Sequence, residues 1–372
     1  MEIRKRPPAQ NMGRILAGGM AAEDFIVLMN RTELNCETFE KVSPEDAEDF
    51  VAVCEELGDK AIAYAEEHEK LGHKQTASDY YFNACSLFRI ADYGIRGVNE
   101  EKFRIYGKLV DSFHKSKELT CYEKVEFVEV PFEGNSMPGY LVLPDHIDKE
   151  TPVIIYVPGA TGFKEENYTA PKKLWERGAV SIIFDGPGQG EALLNRNMYL
   201  TADNYDRAIK AVVDFIKEDG RFGNKIGLMG VSYGGYLAAS GAIYGGDDIK
   251  ALVSRGGCSK TDQLTMHPFA GIDNFYLNGF LPKFHVTDPE EAAAISHQMD
   301  IEDKLYKIKC PLLVQHTEKD PIIGTEGAKA LYHKSSSEVK EYWEHEGSMH
   351  CANDIELKAC AYAVDWILDQ LK

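Results

Sequence analysis

Apolar residues recur at helical spacing through the first third of the chain, and the pattern changes near residue 120. Ser43-Pro44-Glu45-Asp46 reads as a helix start, with Pro in the first turn and acids near the N-terminus. The segment 47–70 follows, with Phe50, Val51, Cys54, Leu57, Ala61 and Tyr64 on one stripe. Further helices are predicted over 77–89 and 99–115. No strand-like alternation occurs in this part, and most of its many aromatic residues, among them Tyr80, Tyr81, Phe82, Phe88, Phe103 and Tyr106, read as helix-packing core, with a substrate-cavity lining as the alternative for one or two. From Tyr122 to Val130 the alternation is that of a strand. Met137–Leu143 follows after Gly134-Asn135-Ser136, which predicts a β-hairpin. Short apolar runs then come at 152–157, 179–184, 225–229, 251–254, 311–315 and 339–343. Helical patterns at 167–177, 202–218, 233–244, 324–334 and 355–371 separate or follow them. Strands alternating with helices predict an α/β fold with a mostly parallel sheet covered on both faces, the hairpin forming an antiparallel edge. The expected organisation is a helical domain over 1–118 and a sheet domain over 119–372. An insertion at about 262–303 fits no strand and is expected over the carboxyl ends of the strands, where such sheets bind ligands.

The motif that carries chemistry is Gly230-Val231-Ser232-Tyr233-Gly234-Gly235, between a predicted strand and a predicted helix. This is the context of a G-x-S-x-G nucleophile elbow, which forces the serine hydroxyl into the open. A serine of this kind needs a base, and the base needs an acid to orient it; in this arrangement they follow in the order Ser, acid, His. The acid is expected in the loop after the strand 311–315. Asp320, just before Pro321-Ile322-Ile323, is the first candidate and Glu318 the second. For the base, His350 lies deep in the loop after 339–343, behind Gly347-Ser348 and before the last helix. His345, at the strand end between two glutamates, reads as a solvated surface residue, and His316 as structural. His316 and Asp320 share the i, i+4 spacing of metal ligands but lack a third ligand, so the reading is free of metal and cofactor. Cys351 reads as a small packing residue.

An oxyanion needs two backbone donors. The N–H of Tyr233 is one; the N–H of Ala160, in the loop Pro158-Gly159-Ala160-Thr161-Gly162, is expected as the other, with Thr161 beside it. A phosphate cradle at Gly159–Gly162 is excluded by the missing Gly-Lys-Ser/Thr ending. The glycine-rich run Asp185–Glu191 reads as a turn shaping the site. Substrate-lining candidates are Thr161, Tyr233, Met266, His267, Phe269, Phe275 and Tyr276, for which packing between insertion and core is the competing explanation.

Composition narrows the classes. At 372 residues, 44% hydrophobic and 27% charged, the chain suits a soluble protein of one large and one smaller domain. A net charge of −19 argues against nucleic acid and anionic membranes as partners. The charged N-terminus, the absence of a long apolar run and eight cysteines without C-x-x-C spacing lead to the expectation of a cytoplasmic protein with reduced thiols.

With these residues placed, the chain resembles a branch of the α/β-hydrolases. That branch contains 2,6-dihydroxypseudooxynicotine hydrolase, polyketide-shortening hydrolases of fungi and the fermentation–respiration switch protein family. The shared-looking pieces are Lys164-Glu165-Glu166, Phe184-Asp185-Gly186-Pro187-Gly188-Gln189-Gly190-Glu191, the Ser232 elbow, Gly256-Gly257, and Asp320 with His350. The resemblance implies an α/β-hydrolase fold, an N-terminal helical cap, a homodimer and cofactor-free hydrolysis of a small molecule. In two of these groups the bond cut is carbon–carbon, beside a ketone; other relatives are esterases. The chain departs from the nicotine-degrading enzyme at Pro158–Gly162 and at Tyr233, both on the substrate side, so that enzyme's substrate does not carry over. The reading is a serine hydrolase that cleaves a C–C bond of a β-diketone-like or acyl-phenol compound. His267 or Asp262 is the candidate acid for the carbon leaving group. A carboxylesterase is the first alternative, and a non-catalytic partner-binding protein of the switch type is the second. The joint presence of Ser232, Asp320 and His350 speaks against the latter.

Overall fold

The computed structural model describes residues 3–6, 12–261, 280–347 and 349–372. The chain divides into two compact units, Met1–Glu123 and Lys124–Lys372. The division falls a few residues beyond the expected boundary at 118, because the third long helix runs on to Leu119.

Among the described residues the first unit is helical. It comprises α1 (Met12–Ala17), α2 (Ala22–Thr32), α3 (Phe50–Lys70), α4 (Lys74–Gly94) and α5 (Glu100–Leu119). Asp49 caps α3 by accepting from the Ala52 N–H, and Asn99 caps α5 by accepting from the Lys102 N–H. α4 packs on both α3 and α5, and its C-terminal half is buried continuously from Asn83 to Gly94. A helix buried all round must satisfy its polar groups internally. Asp92 accordingly accepts from Lys102 Nζ at 3.0 Å, and Arg89 donates to the Ile15 carbonyl at 3.1 Å. Tyr81, Phe88, Tyr93 and Tyr106 are buried, as expected of packing aromatics; Tyr64 and Phe103 are exposed.

The second unit is built on an eight-stranded sheet of order β1-β2-β4-β3-β5-β6-β7-β8. The strands are β1 (Lys124–Phe132), β2 (Asn135–Leu143), β3 (Val153–Val157), β4 (Val180–Phe184), β5 (Ile226–Val231), β6 (Ile249–Arg255), β7 (Leu312–Thr317) and β8 (Lys340–His345). β1 and β2 form the expected antiparallel hairpin, and β2 also joins β4 antiparallel; all other pairs are parallel. β3 and β4 are buried at every residue, as central parallel strands covered on both faces must be. β8, at the edge, is half-buried throughout and carries Lys340, Glu341 and Glu344, charges that discourage further pairing.

Among the described residues the α-helices of this unit are α6 (Thr169–Trp175), α7 (Gly190–Leu194), α8 (Asn204–Asp219), α9 (Tyr233–Gly245), α10 (Leu281–Phe284), α11 (Pro289–Gln298), α12 (Thr325–Lys334) and α13 (Glu356–Gln370). α8 buries Ala208, Ile209, Val212, Val213 and Ile216 in the core it shares with β5 and α9 and ends at Gly220 in the left-handed region (φ 76°). Truncating a wholly buried side chain such as Leu228 to alanine would cost about 2–5 kcal/mol. The expected insertion holds α10 and α11 and, as predicted, no strand among its described residues. Among the described residues no helix is long and apolar enough to cross a membrane.

Candidate active site

The sheet order reverses at β3, which lies between β4 and β5, so the loops after β3 and β5 open side by side at the carboxyl ends of the strands. Ser232 stands between β5 and α9 with φ 58° and ψ −128°, a backbone region costly for any residue but glycine. Two backbone bonds hold this turn: the Ser232 N–H donates to the Arg255 carbonyl at 2.7 Å, and the Gly235 N–H to the Ser232 carbonyl at 2.8 Å. The Arg255 side chain, almost wholly buried, is fixed in turn by Glu356 at 2.7 Å.

Asp320 follows β7. Its carboxylate is fully buried and accepts the N–H groups of Ile322 at 2.8 Å and Ile323 at 3.0 Å. Burial opposes its charge, but the bond from His350 and these two donors hold its pKa below the usual carboxylate range. Glu318, the alternative acid, is exposed.

His350 Nδ1 lies 2.8 Å from Asp320 Oδ2 and 3.0 Å from Oδ1, and its Nε2 lies 2.6 Å from Ser232 Oγ. Burial disfavours the imidazolium, but the adjacent Cys351 sulfur and the Asp320 carboxylate outweigh it and raise the His350 pKa above 6.5. Sequence positions 232, 320 and 350 thus converge in one hydrogen-bonded row, and an acceptor, an orienting ring and a hydroxyl in that order can draw a proton from the serine.

The loop carrying His350 is built differently from the expectation. The motif reading assigns the reversal to Gly347-Ser348. Gly347 is not left-handed, and Ser348 lies outside the described residues; Cys351 (φ 58°) and Ala352 (φ 60°) make the turn instead. Cys351 is buried, its thiol directed at the Arg255 carbonyl 3.9 Å away. His345 is a correction too. It is half-buried rather than solvated, with Nε2 3.1 Å from the Thr317 hydroxyl. His316 is almost wholly buried, and burial pushes its pKa down. Among the described residues no three His, Cys, Asp or Glu side chains gather as a metal site.

The loop after β3 runs close to the serine. A Cβ on Gly159 would lie 3.2 Å from the Val231 carbonyl, 3.3 Å from Ser232 Cβ and 3.7 Å from Ser232 Oγ, so the missing side chain lets this backbone sit close to the serine without crowding it. Ala160 and Thr161 follow, both half-buried. The side chain of Tyr233 is not free to line a cavity. It is wholly buried, with its hydroxyl 3.3 Å from Met299 Sδ and its ring edge-on to Phe280. Asp262, Met266, His267, Phe269, Phe275 and Tyr276 lie outside the described residues.

A buried ionic cluster that motif reasoning left without a role stands behind this loop. Lys164 Nζ lies 2.9 Å from each of Glu165, Asp185 and Glu191, and the Lys164 N–H donates to Asp185 Oδ1 at 2.8 Å. Burial opposes the Lys164 charge, but the surrounding carboxylates raise its pKa. Glu165, which also bonds the Tyr140 hydroxyl, is pushed up by burial. The cluster ties the loop after β3 to the loop after β4. Gln189, in that second loop, was also unforeseen as a contact of Pro158 and Gly159. The signal for both was the density of Asp, Gly, Gln and Glu in 185–191.

The sheet order, with a strand–serine–helix elbow at its switch point, defines the class: the protein is an α/β-hydrolase. The chain belongs to the prolyl oligopeptidase family, whose model matches residues 167–369, more than half of its length. It is 24% identical to 2,6-dihydropseudooxynicotine hydrolase of Paenarthrobacter nicotinovorans, covering 100% of this chain and 94% of that protein. The crystal structure of 2,6-dihydroxy-pseudo-oxynicotine hydrolase superposes with a TM-score of 0.81 at 23% identity, over 97% of this chain and 96% of that one. The α/β hydrolase xenA of Xenoacremonium sinensis is 27% identical over 259 residues, 65% of this chain and 57% of that protein. The chain spans about half the length of the fungal relatives it matches.

Proposed function

We propose that this hydrolase is a cofactor-independent serine enzyme acting on the carbonyl of a small molecule through Ser232, His350 and Asp320. The observation that carries the reading is the row of contacts from Ser232 Oγ to His350 Nε2 at 2.6 Å and from His350 Nδ1 to Asp320 Oδ2 at 2.8 Å. His350 takes the Ser232 proton as Oγ bonds to the carbonyl carbon. Asp320 fixes the tautomer and offsets the imidazolium charge. The N–H groups of Tyr233 and Ala160 receive the oxyanion. Collapse breaks the bond to the leaving group, which takes the proton, and water then hydrolyses the acyl-serine.

For the bond that is cut, we place C–C cleavage of a β-diketone-like or acyl-phenol substrate first and ester hydrolysis second. Full-length similarity to a protein named for a pseudooxynicotine compound supports that order. Ester and C–C substrates need the same attack; only the second needs an electron sink beside the broken bond. A turnover panel tests it, with aryl and alkyl esters, β-diketones, acylated phenols and a peptide anilide. Fast ketone cleavage that disappears in Ser232→Ala supports the reading. Broad ester turnover without ketone cleavage makes the enzyme an esterase, and no turnover of any carbonyl compound favours the partner-binding alternative. The homodimer is likewise a proposal, checked by light scattering at micromolar concentration.

A further inference from the structure

The run Asp185–Glu191 has a use that the proton-transfer row does not explain. Gln189 lies at the foot of α7, almost wholly buried, and spends its amide on four backbone and side-chain groups. Its Oε1 accepts the Gly186 N–H at 3.2 Å and the Tyr205 hydroxyl at 2.6 Å. Its Nε2 donates to the Pro158 carbonyl at 3.0 Å and reaches the Gly159 carbonyl at 3.4 Å. The Gly186 N–H is only ever a donor, so the amide has a single orientation, with its nitrogen toward the loop after β3. Tyr205 reaches this place because residue 186 is glycine; a Cβ there would lie 2.7 Å from the Tyr205 ring. Burial and the nearby Asp185 charge keep the Tyr205 phenol protonated, so it donates.

The carbonyl of Gly159 and the N–H of Ala160 belong to one planar trans peptide and point opposite ways. Holding the carbonyl toward Gln189 therefore aims the Ala160 N–H away from it. That peptide lies beside the nucleophile, since the Gly159 Cα is close enough for an added Cβ to meet Ser232. We infer that Gln189, locked by Tyr205, is a positioning residue that presets the Ala160 N–H as an oxyanion donor. The inference rests on the proposed serine mechanism. It gives the Asp185–Glu191 run a function: Asp185 anchors the loop through Lys164, and Gln189, holding the Pro158 and Gly159 carbonyls together with the Gly162 N–H on the latter at 3.2 Å, sets the angle of its peptide.

The test is the rate at which an alkyl fluorophosphonate modifies the full chain. In that reaction the Oγ–P bond forms, the P–F bond breaks, fluoride leaves and His350 takes the proton; the phosphonyl oxygen occupies the oxyanion position. Wild type is expected to be labelled and Ser232→Ala not. Gln189→Ala and Gln189→Glu are expected to react about 10–100-fold more slowly at about pH 8, a tenth of the effect of losing a donor outright or more. On a 4-nitrophenyl ester, kcat falls while KM stays. A glutamate at 189 can donate only when protonated. The Gln189→Glu rate, relative to wild type at the same pH, therefore climbs as the pH is lowered to about 5. Tyr205→Phe, which leaves the Gly186 N–H as the remaining donor to Gln189 Oε1 and loosens the amide, falls between. A residue needed only for packing would lower the melting temperature without that pH-dependent recovery. Labelling of Gln189→Ala at the wild-type rate, or a flat Gln189→Glu ratio, overturns the inference. If Gln189→Ala does not fold, the Gln189→Glu ratio and Tyr205→Phe decide it. Labelling that persists in Ser232→Ala defeats the serine mechanism itself, a distinct result.

Discussion

The Thr317 hydroxyl donates to the Met349 carbonyl at 2.9 Å and accepts the Ala352 N–H at 3.2 Å, so one side chain at the end of β7 grips the chain on both sides of His350. His345 Nε2 approaches the same oxygen at 3.1 Å. The ring that faces Ser232 is thus carried by a loop with two consecutive left-handed residues, a strained backbone that neighbours must hold in place. Thr317→Val keeps the shape and removes the grip. It removes both side-chain bonds and leaves the Met349 carbonyl and the Ala352 N–H only their 3.2 Å bond to each other, for a stability loss of about 1–3 kcal/mol at about 0.5–1.5 kcal/mol per bond lost. Activity is expected to fall about tenfold in kcat with KM little changed, as expected when a catalytic group loses its preset geometry. Urea unfolding and steady-state kinetics check both numbers; an unchanged kcat would show that Thr317 does not position His350.

The pH profile follows from the sign of the His350 shift. The base must be neutral, so activity rises as pH passes the folded-state pKa, which lies above 6.5. The ascending limb of kcat/KM is therefore expected on the alkaline side of an ordinary histidine. For stability the protonated ring is the favoured form. Its contribution is complete below the unfolded-state pKa and is lost as pH rises through the folded-state value. A limb centred at or below 6.5 would contradict this.

Asp206, on α8, is penalised by burial, and its pKa is raised to about 6; the Ser240 hydroxyl opposes the shift. The sign is the reverse of a salt-bridged carboxylate. The folded state prefers the protonated acid, and stability is lost as pH rises from 3.8 through about 6. A displacement of about 2 units corresponds to about 3 kcal/mol at neutral pH, to order of magnitude. Asp206→Asn is expected to raise the melting temperature at pH 7, with a gain that vanishes near pH 4. Equal melting temperatures at pH 7 would mean that the carboxylate is better solvated than its burial implies.

Much of this architecture is legible in the chain. Period-2 and period-3.6 patterns alternate cleanly after residue 120, and the central strands are uninterrupted apolar runs, so the strands fall within about two residues of their expected ends. Ser232, Asp320 and His350 stand out because each occupies a loop just after a strand, where one register fixes the direction of the side chain. What the sequence hides depends on tertiary approach. α1 and α2 have no continuous apolar stripe; they bury only Ile15, Leu28 and Met29, and α2 exposes Ile26 and Val27. Nothing local says that Cys351 and Ala352 adopt φ near +60°, since neither is glycine. His345 reads as a surface residue between glutamates until the loop from β7 brings Thr317 against it. Lys164, Glu165, Asp185 and Glu191 come from two loops that only the β3–β4 pairing brings together.

That cluster makes the last prediction. Lys164 is one cation among three carboxylates, buried except at Glu191, which also bonds Arg196 at 3.3 Å. Removing the lysine strands charges in a low-dielectric interior, whereas removing one acid relieves crowding. Lys164→Met is therefore expected to cost about 3–5 kcal/mol in urea unfolding at pH 7. The loss should shrink as pH falls and the carboxylates protonate. Glu165→Gln is expected to cost much less, because burial already raises the Glu165 pKa and a neutral amide can still accept from the Tyr140 hydroxyl. Combined, the two substitutions should lose less than the sum of the single losses, since Glu165 is one of the charges that Lys164→Met exposes. Additive losses would show that Lys164 and Glu165 do not share a buried charge balance. They would also remove the electrostatic reason for the tie between the two loops beside Ser232.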